Sequence, residues 1–519
     1  MPRRSRAFAS LVLAFVAAGA SPSLAQYEPT TAWDATVKEL RSATRTQRDG
    51  SHHARLLALR GLGDPALAPF FEALVAGDHW SIQVDGMLGL AELSDRRSVR
   101  ADLIDRMHGD ENRSSALRAA LGLRLLEAAE IERMLAWEDL PASDRVLLAA
   151  ESLRLVPKSV PEATLRRLAE SRNDEVAGLA SFLLREVTGD GTSGELFENR
   201  LDAMPADRRG ILLGLLAGVF ARYEVRPGLE FLARRLAGPD AKDLPADART
   251  AMLAAILPAD ADRGYRLWTA AVEGETSAAQ VLRLAALLLT VETPLPPDAA
   301  APLRSASAGD RALLAKFADA IEAVAGFGDP SLALPELVAT RHRVAVASCL
   351  DATRRLPPAE ARATLTAIAD LVSGGDRVRL PPGVSELAVQ AFTQLARIDP
   401  PEVERRLAAA EGDTALQDVI LFGLFTAGTP EATAIAAKAR GRVSRTGESL
   451  ALLLVARRAE SLPETDLRQL ALIAAGGGRV EEPLQAQAAW LYARLSGRAN
   501  EAIAAALASG TTTREGPTP

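Results

Sequence analysis

Residues 59–74, LRGLGDPALAPFFEAL, end one helix and begin the next within four residues, and AGFGDPSLALPEL at 325–337 repeats that chemistry much later in the chain. Gly63 can take the left-handed conformation that closes a helix. Asp64 then accepts a hydrogen bond from the unpaired N–H groups of the following helix, and Pro65 fits its first position, where a missing N–H breaks nothing. Gly328, Asp329 and Pro330 are expected to divide the same roles in the same order. Weaker versions occur at LAELSDRRSV (90–99), LARIDPPEV (395–403) and FTAGTPEAT (425–433). Asp64 and Asp95 lie 31 residues apart and Pro401 and Pro430 lie 29 apart, enough for a helix, a turn, a helix and a short return. That period belongs to chains built from repeated helical pairs, each packing mainly on its neighbours.

The rest of the sequence carries the same pattern. Hydrophobic residues make up 48% of the 519, but aromatics only 4%, so the apolar positions fall mostly to Ala and Leu, which favour helix and pack at short distance. Windows such as SDRVLLAAESLRLV (143–156) and SRTGESLALLLVARRAESL (444–462) repeat apolar residues at three and four, and no sustained two-residue alternation is found. A single core of this length is expected to split, whereas a stacked array grows in one dimension. The expected fold is all-α, a right-handed α-solenoid (superhelix) of about fourteen helical pairs.

A capping helix near Trp33 to Arg48 precedes pairs at 51–77, 79–108, 111–136, 142–171, 173–203, 206–237, 245–273, 276–307, 309–340, 341–373, 383–411, 413–440, 446–476 and 482–509. In domain terms this reads as a cap at 26–50, an array at 51–372, a Gly- and Pro-rich loop at 373–382, C-terminal repeats at 383–509, and a disordered tail at 510–519. GILLGLLAGVFA (210–221), the most apolar helix, is too short for a bilayer and is expected to be covered on both sides in the stack.

The first 25 residues form a separate segment. MPRRSR is a basic start, Ala7–Ala20 an apolar stretch, and Ser23 and Ala25 occupy the small positions of a cleavage site before Gln26. The pattern predicts export to the periplasm or the extracellular space, with no integral membrane segment after cleavage. Losing Arg3, Arg4 and Arg6 lowers the basic count from 60 to 57 against 67 acidic residues and moves the formal charge from −7 to −10. So acidic a chain is a poor ligand for nucleic acid. The one cysteine, Cys349, excludes an internal disulfide and reads as a buried core residue.

The stretch ALRGLGDPALAPFFEALVAGDHWSIQVDGMLGLAEL (58–93) resembles bacterial HEAT repeats, most specifically over 51–108 and again at 309–340. The resemblance implies a scaffold that binds proteins on an extended concave face. Some members hold iron or act on bilins, so it implies a mode of work more than a reaction.

Candidate chemistry is sparse. His52, His53, His79 and His108 fall in the first two repeats, but the residues after them are His53, Ala54, Trp80 and Gly109, not the glutamates that the iron-holding members carry. Solvated or helix-end roles are expected for them, and His342 between two arginines is a worse ligand still. TGDGTSGE (188–195) has too few oxygen ligands for a calcium loop and reads as a turn. The sequence contains no Gly-x-Ser-x-Gly, His-Glu-x-x-His or phosphate-binding glycine loop. No cofactor, metal or catalytic residue is assigned.

Paired arginines recur instead. Arg166 and Arg167, Arg234 and Arg235, and Arg405 and Arg406 lie in second helices, which line the inner wall of a HEAT-like stack, where guanidinium groups can grip carboxylates. Arg354 with Arg355 and Arg457 with Arg458 lie near the ends of first helices. Local salt bridges and favourable placement near helix C-termini account for the same pattern. The expected function is a non-catalytic exported scaffold that presents its concave surface to an unidentified, acidic protein partner. The alternative is an enzyme, metal-dependent or lyase-like, whose site is assembled from scattered residues of the first repeats around His52, His53 and His79.

Overall fold

A computed structural model of the chain describes residues 29–46, 50–77, 80–93, 117–118, 120–122, 124, 126–373, 384–478 and 480–508. The expected signal peptide, residues 374–382 of the expected loop, the tail from 510, and Asp95, His79 and His108 lie outside them. The described chain is all-α, with no strand among the described residues. Helices occur in the pairs that periodicity predicts: Ala142–Leu155 with Glu162–Ala169, Asp174–Thr188 with Thr192–Asp202, Ala206–Tyr223 with Arg226–Ala237, and, further on, Thr414–Ala427 with Pro430–Ala439. The chain divides into two compact units, one made of 121–391 and the other of both chain ends, 1–120 with 392–519.

The joint at 63–65 forms as its chemistry requires. Gly63 has φ +61°, Asp64 Oδ1 accepts from Ala66 N at 3.0 Å, and Pro65 opens a short 3-10 turn that leads into Ala68–Val75. Gly428, Thr429 and Pro430 repeat it, with φ +62° at the glycine and the Thr429 hydroxyl accepting from Ala432 N. The expectation for Gly328 needs correction. Asp329 caps its helix through Ser331 N and Pro330 takes the first position, but Gly328 is extended at φ −158°. The left-handed residue is Gly326, at φ +90° in a π-type turn over Ala323–Phe327. That wider turn closes the helix two residues early. Gly328 is instead set by close approach, since a Cβ there would lie 3.2 Å from Ala323 Cα.

Within the middle unit, successive first helices lie side by side: Ala142–Leu155, Asp174–Thr188, Ala206–Tyr223, Ala246–Ile256 and Ala278–Thr290. Phe182 stands at a core focus, with its ring 4.8 Å from Phe231, 5.2 Å from Phe220 and 6.1 Å from Phe197. Polar links between neighbouring pairs span about one period. Arg234 reaches Glu198 over 36 residues, Gln280 reaches Thr250 over 30, and Arg200 reaches Ser171 O over 29. Other links, over shorter or longer separations, are arginines on helix-terminal carbonyls, the groups a helix leaves without internal donors. Arg145 donates to Leu135 O and Trp137 O, and Arg355 to Leu289 O and Val291 O.

The end unit joins the two ends of the chain. Pro29–Ala43, expected as an N-terminal cap, packs on Glu464–Ala474, Glu482–Leu495 and Ala499–Leu507. Arg41 Nη2 donates to Ala505 O at 2.6 Å, Gln487 Nε2 to Ala58 O at 2.6 Å, and Arg55 bridges Glu39 at 2.7 Å and Glu482 at 2.9 Å. The guanidinium of Arg498 lies 3.5 Å over the Trp33 ring. Burial pushes the Glu39 carboxyl above its usual range, and the bond from Arg55 opposes that shift.

Candidate functional site

Arg166, Arg167, Arg234 and Arg235 belong to the middle unit, and Arg405 and Arg406 to the end unit. Five of the six are matched to acids of their own chain. Arg166 bonds Glu162 at 2.7 Å, one turn back on its helix. Arg234 reaches Glu198 at 2.8 Å, and Arg235 takes both oxygens of Asp202 while its guanidinium sits over the Phe231 ring. Arg405 and Arg406 share Glu402 and hold its carboxyl below the usual range, with the Arg405 bond the largest cause. Arg167 is exposed and makes no ion pair among the described residues. A carboxylate arriving at the other five must displace one that is already bound.

The pairs at the ends of first helices have a different occupation. Arg457 lies 3.8 Å over the Phe425 ring, bonds Gln487 Oε1 at 2.8 Å and donates to Phe425 O, while Arg458 donates to Gly428 O. Burial lowers the Arg457 pKa to about 10. Arg354 pairs with Asp351 and reaches Gln390, and Arg355 holds the Leu289 and Val291 carbonyls. Position near the end of a first helix was the sequence signal for this role. It says that a carbonyl end is near, though not which one.

The histidine region is partly described. His53 Nδ1 and Asp85 Oδ2 lie 2.7 Å apart, Arg60 reaches the other Asp85 oxygen at 3.2 Å and grips Glu92 with two bonds, and the His52 ring lies 4.0 Å from that of His53. His52 is buried rather than solvated, because Ser51–Arg60 turns that face inward. Among the described residues no three His, Cys, Asp or Glu side chains gather as a metal-binding group. Asp190 accepts from the amide and hydroxyl of Thr192, which holds its carboxyl low and places it in the turn expected for TGDGTSGE. Cys349 is fully buried, and burial pushes its thiol well above the ordinary range.

A surface that sequence reading missed lies on Ala206–Tyr223. Ile211 is 66% exposed and Leu215 49%, one turn apart on the same face. A Cβ on Gly218 would meet nothing within 4 Å. The expectation that this helix is covered on both sides is therefore corrected. Gly210 admits Pro245, and Gly214 faces Ala248 at van der Waals distance, so the next pair packs along the glycine edge and leaves the Ile211 and Leu215 face open. A helix apolar all round is normally buried, and here the periodicity could not say which side lacked a neighbour.

The chain matches no family model, no curated protein and no solved structure. No helix among the described residues is long and apolar enough to cross a membrane.

Proposed function

We propose that the chain is an exported, non-catalytic scaffold, a right-handed α-solenoid of about fourteen HEAT-like pairs that holds a protein partner. The observation that carries this reading is the open Ile211 and Leu215 face, because two large apolar side chains one turn apart form a contiguous apolar patch, the kind of surface at which partners dock. The paired arginines of the second helices favour an acidic partner. Exposed pairs such as Arg166 with Glu162 are worth only about 0–1 kcal/mol, so exchange for an incoming carboxylate is inexpensive.

Site-specific photocrosslinking from Leu215 in the native envelope tests the reading. A discrete protein adduct that disappears in Ile211→Lys supports it. Adducts no different from those formed at Glu175, an exposed charged position, refute it. Export is tested by the N-terminus of the protein isolated from its source, expected at Gln26. The second reading, an enzyme, is favoured by the His53 and Asp85 pair held by Arg60, an arrangement that fixes a ring tautomer. Turnover lost in His53→Gln supports that reading over the scaffold.

A further inference from the structure

The end unit contains a groove between the first helix and the last, lined in part by Trp33, Asp34, Lys38, Arg41, Arg45 and Ala505. Lys38 and Arg41 lie one turn apart on the helix Pro29–Ala43, Arg45 stands two residues past its end, and all three line the groove. Three arginines of this unit are matched to acids: Arg55 to Glu39 and Glu482, Arg60 to Asp85 and Glu92, Arg440 to Glu448 and Asp466. Lys38, Arg41 and Arg45 are not. Lys38 and Arg45 are exposed with no ion pair among the described residues. Arg41 is fixed by its bond to Ala505 O, and its Nε is buried with no acceptor among the described residues. Asp34 is the one acid on the lining, and Arg498, which covers the Trp33 ring, is already paired with Glu501 at 2.9 Å.

We propose that this groove binds an acidic peptide segment of a partner protein, taking successive carboxylates on Lys38, Arg41 and Arg45. A compact anion such as phosphate uses donors that converge on one point, whereas these charges follow one another from the last two turns of the helix into the segment after it, an extended row that suits a run of glutamates. Trp33, Val37 and Ala505 supply an apolar wall for the side-chain stems. The site belongs to the end unit and stands independently of the Ile211 face.

The test is fluorescence anisotropy of fluorescein-labelled hexaglutamate titrated with the full chain at low and high salt. Binding that weakens with salt, and falls at least tenfold in Lys38→Glu/Arg45→Glu, is the expected result. Lys38→Gln/Arg45→Gln should give a smaller loss in the same direction, and Arg311→Glu, an exposed charge reversal in the other unit, should leave affinity unchanged. Circular-dichroism melting verifies that each variant is folded, and the glutamine pair decides the matter if the charge reversal unfolds. The proposal is overturned if the wild-type chain does not bind, if the groove variants bind as it does, or if Arg311→Glu loses as much. It is also overturned if inorganic phosphate displaces the peptide at equal charge concentration, which identifies a single-anion site.

Discussion

Trp490 Nε1 donates to Asp64 Oδ2 at 2.9 Å across 426 positions of sequence, while Oδ1 of the same carboxylate accepts from Ala66 N at 3.0 Å. Arg494 Nη1 lies 3.2 Å from Oδ2. One side chain both starts a helix and ties the last helices to the first. The local half of that role is available to any aspartate before a helix, and the distant half exists only because the chain ends share a unit.

Asp64→Ala removes a cap worth about 1 kcal/mol and a charge-assisted bond worth about 1.5–3 kcal/mol, so a loss of roughly 3 kcal/mol is expected. Trp490→Phe keeps the ring and loses the donor. Urea unfolding of both single variants and the double variant should give a coupling energy of about 1 kcal/mol. Strict additivity contradicts the bond.

Gly63 and Gly423 should respond to alanine for different reasons. At Gly63, φ +61° is the sole obstacle because a Cβ meets nothing within 4 Å, and the cost is about 1 kcal/mol. At Gly423 a Cβ would lie 2.5 Å from Phe392 Cβ and 3.1 Å from its backbone carbonyl carbon, so overpacking costs about 1–3 kcal/mol. Denaturant midpoints should therefore fall further for Gly423→Ala.

Cys349 should be inert toward a thiol reagent at pH 8 in the folded chain and react fully in denaturant. The folded thiol titrates above its unfolded value, so its contribution to stability is complete below about pH 8.5, the unfolded value, and is lost as pH rises toward the folded one. Rapid labelling of the native chain contradicts the burial.

Glu402 carries the opposite sign. Its bonds to Arg405 and Arg406 hold the folded pKa below the unfolded value of about 4.3. The stability it contributes is present above that value and lost as pH falls through the folded pKa. Glu402→Gln should lower the thermal midpoint at pH 7, and its difference from the wild-type chain should vanish near pH 2. An equal difference at both values contradicts the assignment.

Sequence alone determined the helical class, helix pairs such as Asp174–Thr188 with Thr192–Asp202, and joints such as 63–65 and 428–430, because these depend on contacts three or four residues apart and on cap chemistry confined to a few positions. Gly63, Asp64 and Pro65 needed no distant partner to be legible. At Gly326 and Gly328 the limit already shows, since a π-type turn moved the left-handed residue by two positions. Tertiary structure decided the rest. The arginines were visible as pairs, and Glu402 three residues back accounts for Arg405, but whether Arg234 meets an acid and Arg458 a carbonyl depends on which neighbouring element lies beside each. The opening at Ile211 and Leu215 depended on which edge of the helix the next pair chose, and periodicity is the same for a face that is covered and one that is bare. The bond from Trp490 to Asp64 had no sequence signal. An interaction across 426 residues leaves no periodic trace and is set by where packing brings the two ends of the chain.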